Sequence, residues 1–205
     1  MSAWKKCFPL HSTCKREAHK ETVTGVADEE LMQAVAGGDL DAFNELVLRY
    51  QGLAWKTAYR FLGDAMEAED IAQDSFLKIY EAAPRYRPTA AFRTYFYRIL
   101  IRLCIDRTRK KRLTCIDDVP EAPDPSPGPT ENLIEKERRA EVREALDALP
   151  PNQKAAMVLR HYEGLSYAEI AQILGVTPKA VEGLISRAGA SLQVSLSNLQ
   201  QNEKY

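Results

Sequence analysis

A chain of 205 residues with 28 Lys and Arg against 29 Asp and Glu carries a net charge of −1. That length suits one or two small domains, and an apolar fraction of 45% is enough to give each a core. No run is long and apolar enough to span a membrane, and Lys5, Lys6, Lys15 and Arg16 precede no apolar stretch, so neither a spanning helix nor a secretory signal is expected and the chain is expected in the cytoplasm.

Residues 1–27 lack a sustained period and read as a flexible N-terminal extension, or as sequence upstream of the true start. Cys7, His11, Cys14 and His19 lie there, but their spacing matches no common zinc pattern, so no metal is assigned. A reducing cytoplasm argues against disulfides among Cys7, Cys14, Cys104 and Cys115, and Cys104 reads as a small core residue.

Helical periodicity starts at Asp28, which can cap a helix carrying Leu31, Met32 and Val35. Gly37-Gly38 ends that helix, and Asp39 can cap a second one that buries Phe43, Leu46, Val47, Leu53 and Ala54 before Gly63 stops it. Asp64 opens a third helix with Ala68, Ile71, Ala72, Ser75, Phe76 and Ile79 on one stripe, ended by Pro84. A fourth is expected from about Ala90 to Arg112, with Phe92, Phe96, Ile99, Leu103 and Asp106 at helical spacing. Five prolines between Pro120 and Pro129 alternate with acidic and small residues, which reads as an extended acidic linker. Periodicity resumes near Glu131 with Val142, Ala145, Leu146 and Leu149. Pro151 then suits the first turn of a helix carrying Ala155, Val158, Leu159 and Tyr162, closed by Gly164. The fold class is all-α: two small helical domains joined by a Pro-rich acidic linker.

The sharpest local signal lies between Leu165 and Leu192. Ser166 and Glu169 have capping-box spacing, and the helix they open presents Ile170, Ala171 and Leu174 to a core. Gly175 permits a tight turn, Thr177 caps the next helix, and Pro178 takes its first position. Val181, Leu184, Ile185, Ala188 and Leu192 face inward, which leaves Lys179, Glu182, Gly183, Ser186 and Arg187 outside. This is a helix-turn-helix layout, in which the outer face of the second helix can read a major groove. Lys179 and Arg187 would meet phosphates or guanine edges, Glu182 a cytosine amino group, and Ser186 either kind of edge. The plainer alternative is a helical hairpin with a solvated outer face.

Residues 85–112 interleave cations with aromatics, from Arg85, Tyr86 and Arg87 through Arg93, Tyr95, Tyr97, Arg98 and Arg102 to Arg109 and Arg112. Cations neutralise phosphates and aromatic faces stack on unpaired bases, so the pattern suits partly single-stranded DNA. The bland alternative puts Phe92, Phe96 and Ile99 in a core with solvated arginines around them.

Three stretches, in order, together resemble the RNA polymerase sigma-70 family. Glu69 to Tyr80 (EDIAQDSFLKIY) is similar to the core-binding helix of sigma region 2. Phe92 to Ile99 (FRTYFYRI), followed by Asp106 and a basic run, is similar to the promoter-melting and −10-reading helix. Leu149 to Gln153 (LPPNQ), Tyr162 to Ala171 (YEGLSYAEIA) and Arg187-Ala188 are similar to region 4. The short tether with no third domain resembles the extracytoplasmic-function group. The resemblance implies region 2 over 28–113, a linker over 114–130, region 4 over 131–196 and a tail over 197–205.

It also implies the partners: core RNA polymerase, promoter DNA and an anti-sigma protein, with no cofactor. Asp70, Gln73, Asp74 and Phe76 would meet the clamp helices of the largest polymerase subunit. Region 4 would sit on the flap of the second large subunit and read the −35 element through Lys179, Glu182, Gly183, Ser186 and Arg187. A flipped non-template base would be held by the loop from Arg87 to Ala91, which contains Thr89, and Tyr95 would stack where the family usually has Trp. Arg93, Arg98, Arg102 and Arg109 would hold the backbone. Two departures stand out: Arg102 occupies a position commonly Asn, and Glu182-Gly183-Leu184 replaces a stretch often Lys/Arg-Ser-Arg.

Other readings are a stand-alone helix-turn-helix regulator, an enzyme, and a redox or metal sensor built on the N-terminal Cys and His residues. The first gives the 70–80 and 92–112 patterns no role. For the second, the sequence offers no nucleophile–base set and no phosphate-cradling glycine loop, so no catalytic residue is assigned.

Overall fold

The computed structural model describes residues 25–114 and 141–202, and all regular structure among them is helical. In the first half α1 spans Asp28–Ala36, α2 Leu40–Leu62, α3 Ala65–Ala82 and α4 Phe92–Thr114, with a 3-10 turn at Ala83–Arg85. In the second half α5 covers 141–147, α6 Pro151–His161, α7 Tyr167–Leu174 and α8 Pro178–Asn202. The N-terminal Cys and His residues and the Pro-rich linker, including Cys115, lie outside the described residues.

Local chemistry sets the boundaries. The Asp39 carboxylate accepts from the amides of Asp41 and Ala42 at 2.9 and 3.0 Å, and Asp64 accepts from Glu67 at 2.8 Å. Each cap satisfies amides that the first turn leaves orphaned, a contribution of about 1 kcal/mol. Gly63 ends α2 in the left-handed region at φ 82°, where its N–H reaches the Tyr59 carbonyl. A side chain there would be strained, so this position needs glycine.

Asp28 departs from expectation. Ala27, in extended backbone, is the N-cap of α1 and makes no side-chain cap bond. The Asp28 carboxylate takes stronger partners instead: Arg49 at 2.7 Å and the Tyr50 hydroxyl at 2.5 Å, which tie α1 to α2. Burial first, and this bond second, push the Tyr50 phenol well above its usual range.

The first-half core is aromatic. Phe61, Phe76, Phe92, Phe96 and Tyr97 are fully buried with Met32, Leu46 and Ile79. Phe96 sits 4.9 Å from Tyr50 and 5.7 Å from Phe76, ring centre to ring centre. Each such side chain removed from water contributes about 1.5–3 kcal/mol. The expected stripe of α3 is buried throughout. That of α4 is rotated: Tyr97, Leu100, Ile101 and Cys104 are buried, Ile99 and Leu103 only partly, and Asp106 is exposed.

The rotation has a cause in the second half, which packs against the first. Buried residues from α1–α4 and from α6–α8 form one contiguous cluster. Ile101 on α4 and Ile173 on α7 line the same groove. Ile173, which a free helical hairpin would expose, is therefore buried. Tyr162 was expected on the apolar stripe of α6 but is half exposed, because it lies past the helix end and carries the Arg60 guanidinium on its ring at 4.7 Å.

Candidate nucleic-acid and polymerase interfaces

The C-terminal helical pair is built by its caps. The Ser166 amide and hydroxyl donate to the Glu169 carboxylate at 2.8 and 2.6 Å, while the Ser166 oxygen accepts from the Glu169 amide at 3.3 Å. These bonds hold the Glu169 carboxyl below its usual range. Gly175 turns the chain at φ 68°, and Thr177 accepts from the Ala180 amide at 3.2 Å to start α8. Val181 and Ala188 are fully buried and fix the rotation of α8. Lys179, Glu182, Ser186 and Arg187 are consequently exposed and Gly183 is half-buried on the same side. Two contacts temper the charge of that face. Lys179 pairs with Glu182 at 2.7 Å, and the Arg187 side chain donates to the Gly183 carbonyl at 3.0 Å.

The second face belongs to α4 and the loop before it. Glu29 of α1 accepts from the Phe92 amide at 2.7 Å and so caps α4 from another element. Arg87 and Thr89 are exposed in the loop, which is tightened by a 2.8 Å bond from the Thr89 amide to the Arg87 carbonyl. Tyr95 is partly buried, with its ring 5.1 Å from Tyr86, and this burial pushes its phenol upward. Arg93, Arg98, Arg102 and Arg109 are exposed along α4.

The third face lies on α3. Asp70 and Asp74 are exposed and Gln73 is partly so, the Asp70 carboxylate lying 3.8 Å from Arg107. Exposed Met66 and Leu77 share this helix and were not singled out in the sequence. Phe76 is a correction. Only 1% exposed, it packs under α3 and offers no surface to a partner.

The sequence reading missed a cluster between the halves. The Glu163 carboxylate, only 7% exposed, accepts from Thr57 at 2.8 Å, Arg60 at 2.9 Å and the Tyr97 hydroxyl at 2.6 Å. Arg93 donates to the Glu163 carbonyl at 3.1 Å, and Arg98 to the Gln172 carbonyl at 2.9 Å. Elsewhere Arg143 donates to the Gly63 carbonyl and lies 4.7 Å from the Tyr59 ring centre. Buried Lys154 pairs with Asp147 and sits 5.2 Å over Phe61. One signal was available: Thr57 is a polar residue on the apolar side of α2.

Comparison with known proteins agrees with this layout. The family model described as Sigma-70 region 2 matches residues 46–114, and that described as Sigma-70, region 4 matches 139–192. RNA polymerase sigma-H factor of Pseudomonas aeruginosa is 32% identical over 188 residues, covering 86% of this chain and 97% of that protein. ECF RNA polymerase sigma factor SigW of Bacillus subtilis is 30% identical over 179 residues, covering 82% and 96%. Among solved structures, CnrH in complex with the cytosolic domain of CnrY superposes with a TM-score of 0.63 at 28% identity, covering 84% of this chain and 99% of that one.

Proposed function

We propose, because this chain belongs to the extracytoplasmic-function group of the sigma-70 family, that its two halves divide promoter recognition between them. The protein is a sigma factor: it binds core RNA polymerase, directs it to specific promoters and helps open the DNA. Catalysis of RNA synthesis resides in the core polymerase, and this chain supplies sequence recognition.

The first half, over 28–113, docks on the clamp helices through Asp70, Gln73 and Asp74, with Phe76 holding α3 in place from beneath. Arg87, Thr89, Tyr95, Arg93, Arg98, Arg102 and Arg109 receive the −10 element as its strands part. The cations neutralise backbone phosphates, and flipping one base costs a few kcal/mol that pocket and stacking contacts offset. The second half, over 131–196, sits on the flap and reads the −35 element through Lys179, Glu182, Gly183, Ser186 and Arg187. No helix among the described residues is long and apolar enough to cross a membrane, and a cytoplasmic location follows from the polymerase partnership. CnrH was solved with the cytosolic domain of CnrY, and a partner protein of the anti-sigma kind is proposed for this chain.

The observation that carries this reading is the presence on one chain of a cation-lined α4 and a fully capped helix-turn-helix. Run-off transcription with purified core polymerase and a library of upstream regions from the source genome tests it. Specific transcripts that require the protein are expected. Failure to bind core polymerase would leave a stand-alone regulator.

A further inference from the structure

On the outer face of α8, Lys179, Glu182, Ser186 and Arg187 can each bond to a base edge, but Gly183 among them has no side chain to do so. At 3.6 residues per turn, Gly183 falls on the side opposite buried Val181 and Ala188, at the middle of that face. Lys179, Ser186 and Arg187, three and four positions away, surround it.

Nothing in the fold requires glycine here. The glycines in left-handed backbone are Gly38, Gly63, Gly164 and Gly175, and Gly183 is not one of them. A Cβ at this position would meet only Arg187, whose terminal nitrogen lies 3.7 Å away, an ordinary contact distance. Inside a helix glycine is a poorer former than alanine, so the bare position destabilises α8 and packing offers no reason for it.

The polar groups of Gly183 are already engaged. Its carbonyl accepts from the Arg187 side chain at 3.0 Å, and its amide belongs to the helix ladder. What it offers to DNA is an apolar Cα at the bottom of a notch. Base pairs present donors and acceptors in the major groove, and thymine alone adds a methyl group.

We infer that Gly183 is a specificity-determining residue: its bare backbone receives the C5-methyl of a thymine in the −35 element. The inference rests on α8 reading that element. It adds an apolar selector to the hydrogen-bonding residues around it.

The test uses holoenzyme, this chain with core polymerase, and a promoter duplex selected by run-off transcription. Each thymine of the −35 element is replaced in turn by deoxyuridine, which removes the methyl and keeps the hydrogen-bonding edge. Fluorescence anisotropy reads the affinity of wild type, Gly183→Ala and Arg187→Ala. Gly52→Ala is the control, because Gly52 also lies inside a helix, α2, with nothing within 4 Å of its Cβ position and outside the faces described.

Both alanine-for-glycine variants should melt a few degrees above wild type. Wild type should lose about fourfold in affinity at one thymine, the effect of one buried methyl group. Gly183→Ala should lose about tenfold on the thymine duplex, where Cβ and methyl compete for one space, and regain most of it on the deoxyuridine duplex, so that the preference inverts. Gly52→Ala should match wild type on every duplex. Indifference of wild type to every methyl overturns the inference, and so does an unchanged thymine preference in Gly183→Ala. Arg187→Ala separates two kinds of failure. If it weakens binding while the thymine scan is flat, α8 reads the −35 element without the notch; if it too changes nothing, that reading and the notch fall together.

Discussion

At the scale of single residues, Glu182 and Glu169 both act by occupying a neighbour. Glu182 holds Lys179 at 2.7 Å on the exposed recognition face and raises that lysine's pKa through the bond. A cation paired in this way neutralises a phosphate less well. Glu182→Gln should therefore tighten duplex binding and steepen the slope of log affinity against log salt by about one unit, while relaxing preference at one base pair. Anisotropy titrations over a salt series check it. Glu169 works at the start of α7, where the Ser166 hydroxyl and then its amide hold the carboxyl low. A carboxyl lowered by folding stabilises the fold above its unfolded range and loses that contribution as pH falls through the lowered folded value. Ser166→Ala should cost about 1 kcal/mol at neutral pH and flatten the acid limb of the stability curve. Denaturant melts across the acid range measure both.

At the scale of elements, the helix stops and starts were legible because glycine, proline and short polar residues act locally. Gly63 and Gly175 do adopt left-handed backbone, and Asp39, Asp64, Ser166 and Thr177 do cap. Period was less reliable than punctuation, since an apolar stripe names a buried side without naming what buries it. On α4 two partners compete, α2 and α3 on one side and the second half on the other, so Tyr97 and Ile101 are buried beside Phe96. On α3 the family likeness put Phe76 among surface contacts, while the periodicity had already placed it on the buried stripe with Ile79. The structure follows the periodicity. The two kinds of residue separate experimentally. Phe76→Ala should cost about 3–5 kcal/mol of stability by leaving a cavity. Asp74→Lys, on exposed surface, should leave the melting temperature within a few degrees and abolish core polymerase binding in a pull-down.

At the scale of the whole molecule, two halves joined by a tether predict two folding units, yet buried residues from both halves form one cluster. The difference lies in contacts that no local pattern encodes. Glu163 meets Thr57 across 106 positions and Arg143 meets Gly63 across 80, so Glu163 and Arg143 look like ordinary surface polars in sequence, and only Thr57, on the apolar side of α2, hints at a buried partner. Apolar packing reinforces these polar links where Ile173 of α7, only 6% exposed, shares the α4 groove with Ile101. Residues that touch across an interface couple the stabilities of the units they join. Wild-type chain should therefore melt in a single calorimetric transition. Ile173→Ala removes apolar surface from the groove without touching the capping box or the recognition face, at a cost of about 2–5 kcal/mol. That loss falls on the smaller second half, whose own core depends on Leu159, Ile170, Val181 and Ala188. The thermogram of the variant should split, with the lower transition belonging to residues 141–202 and the upper one staying near the wild-type position. A single transition shifted bodily downward would mean instead that the polar links alone keep the halves cooperative, and that the Glu163 cluster is the stronger half of the interface.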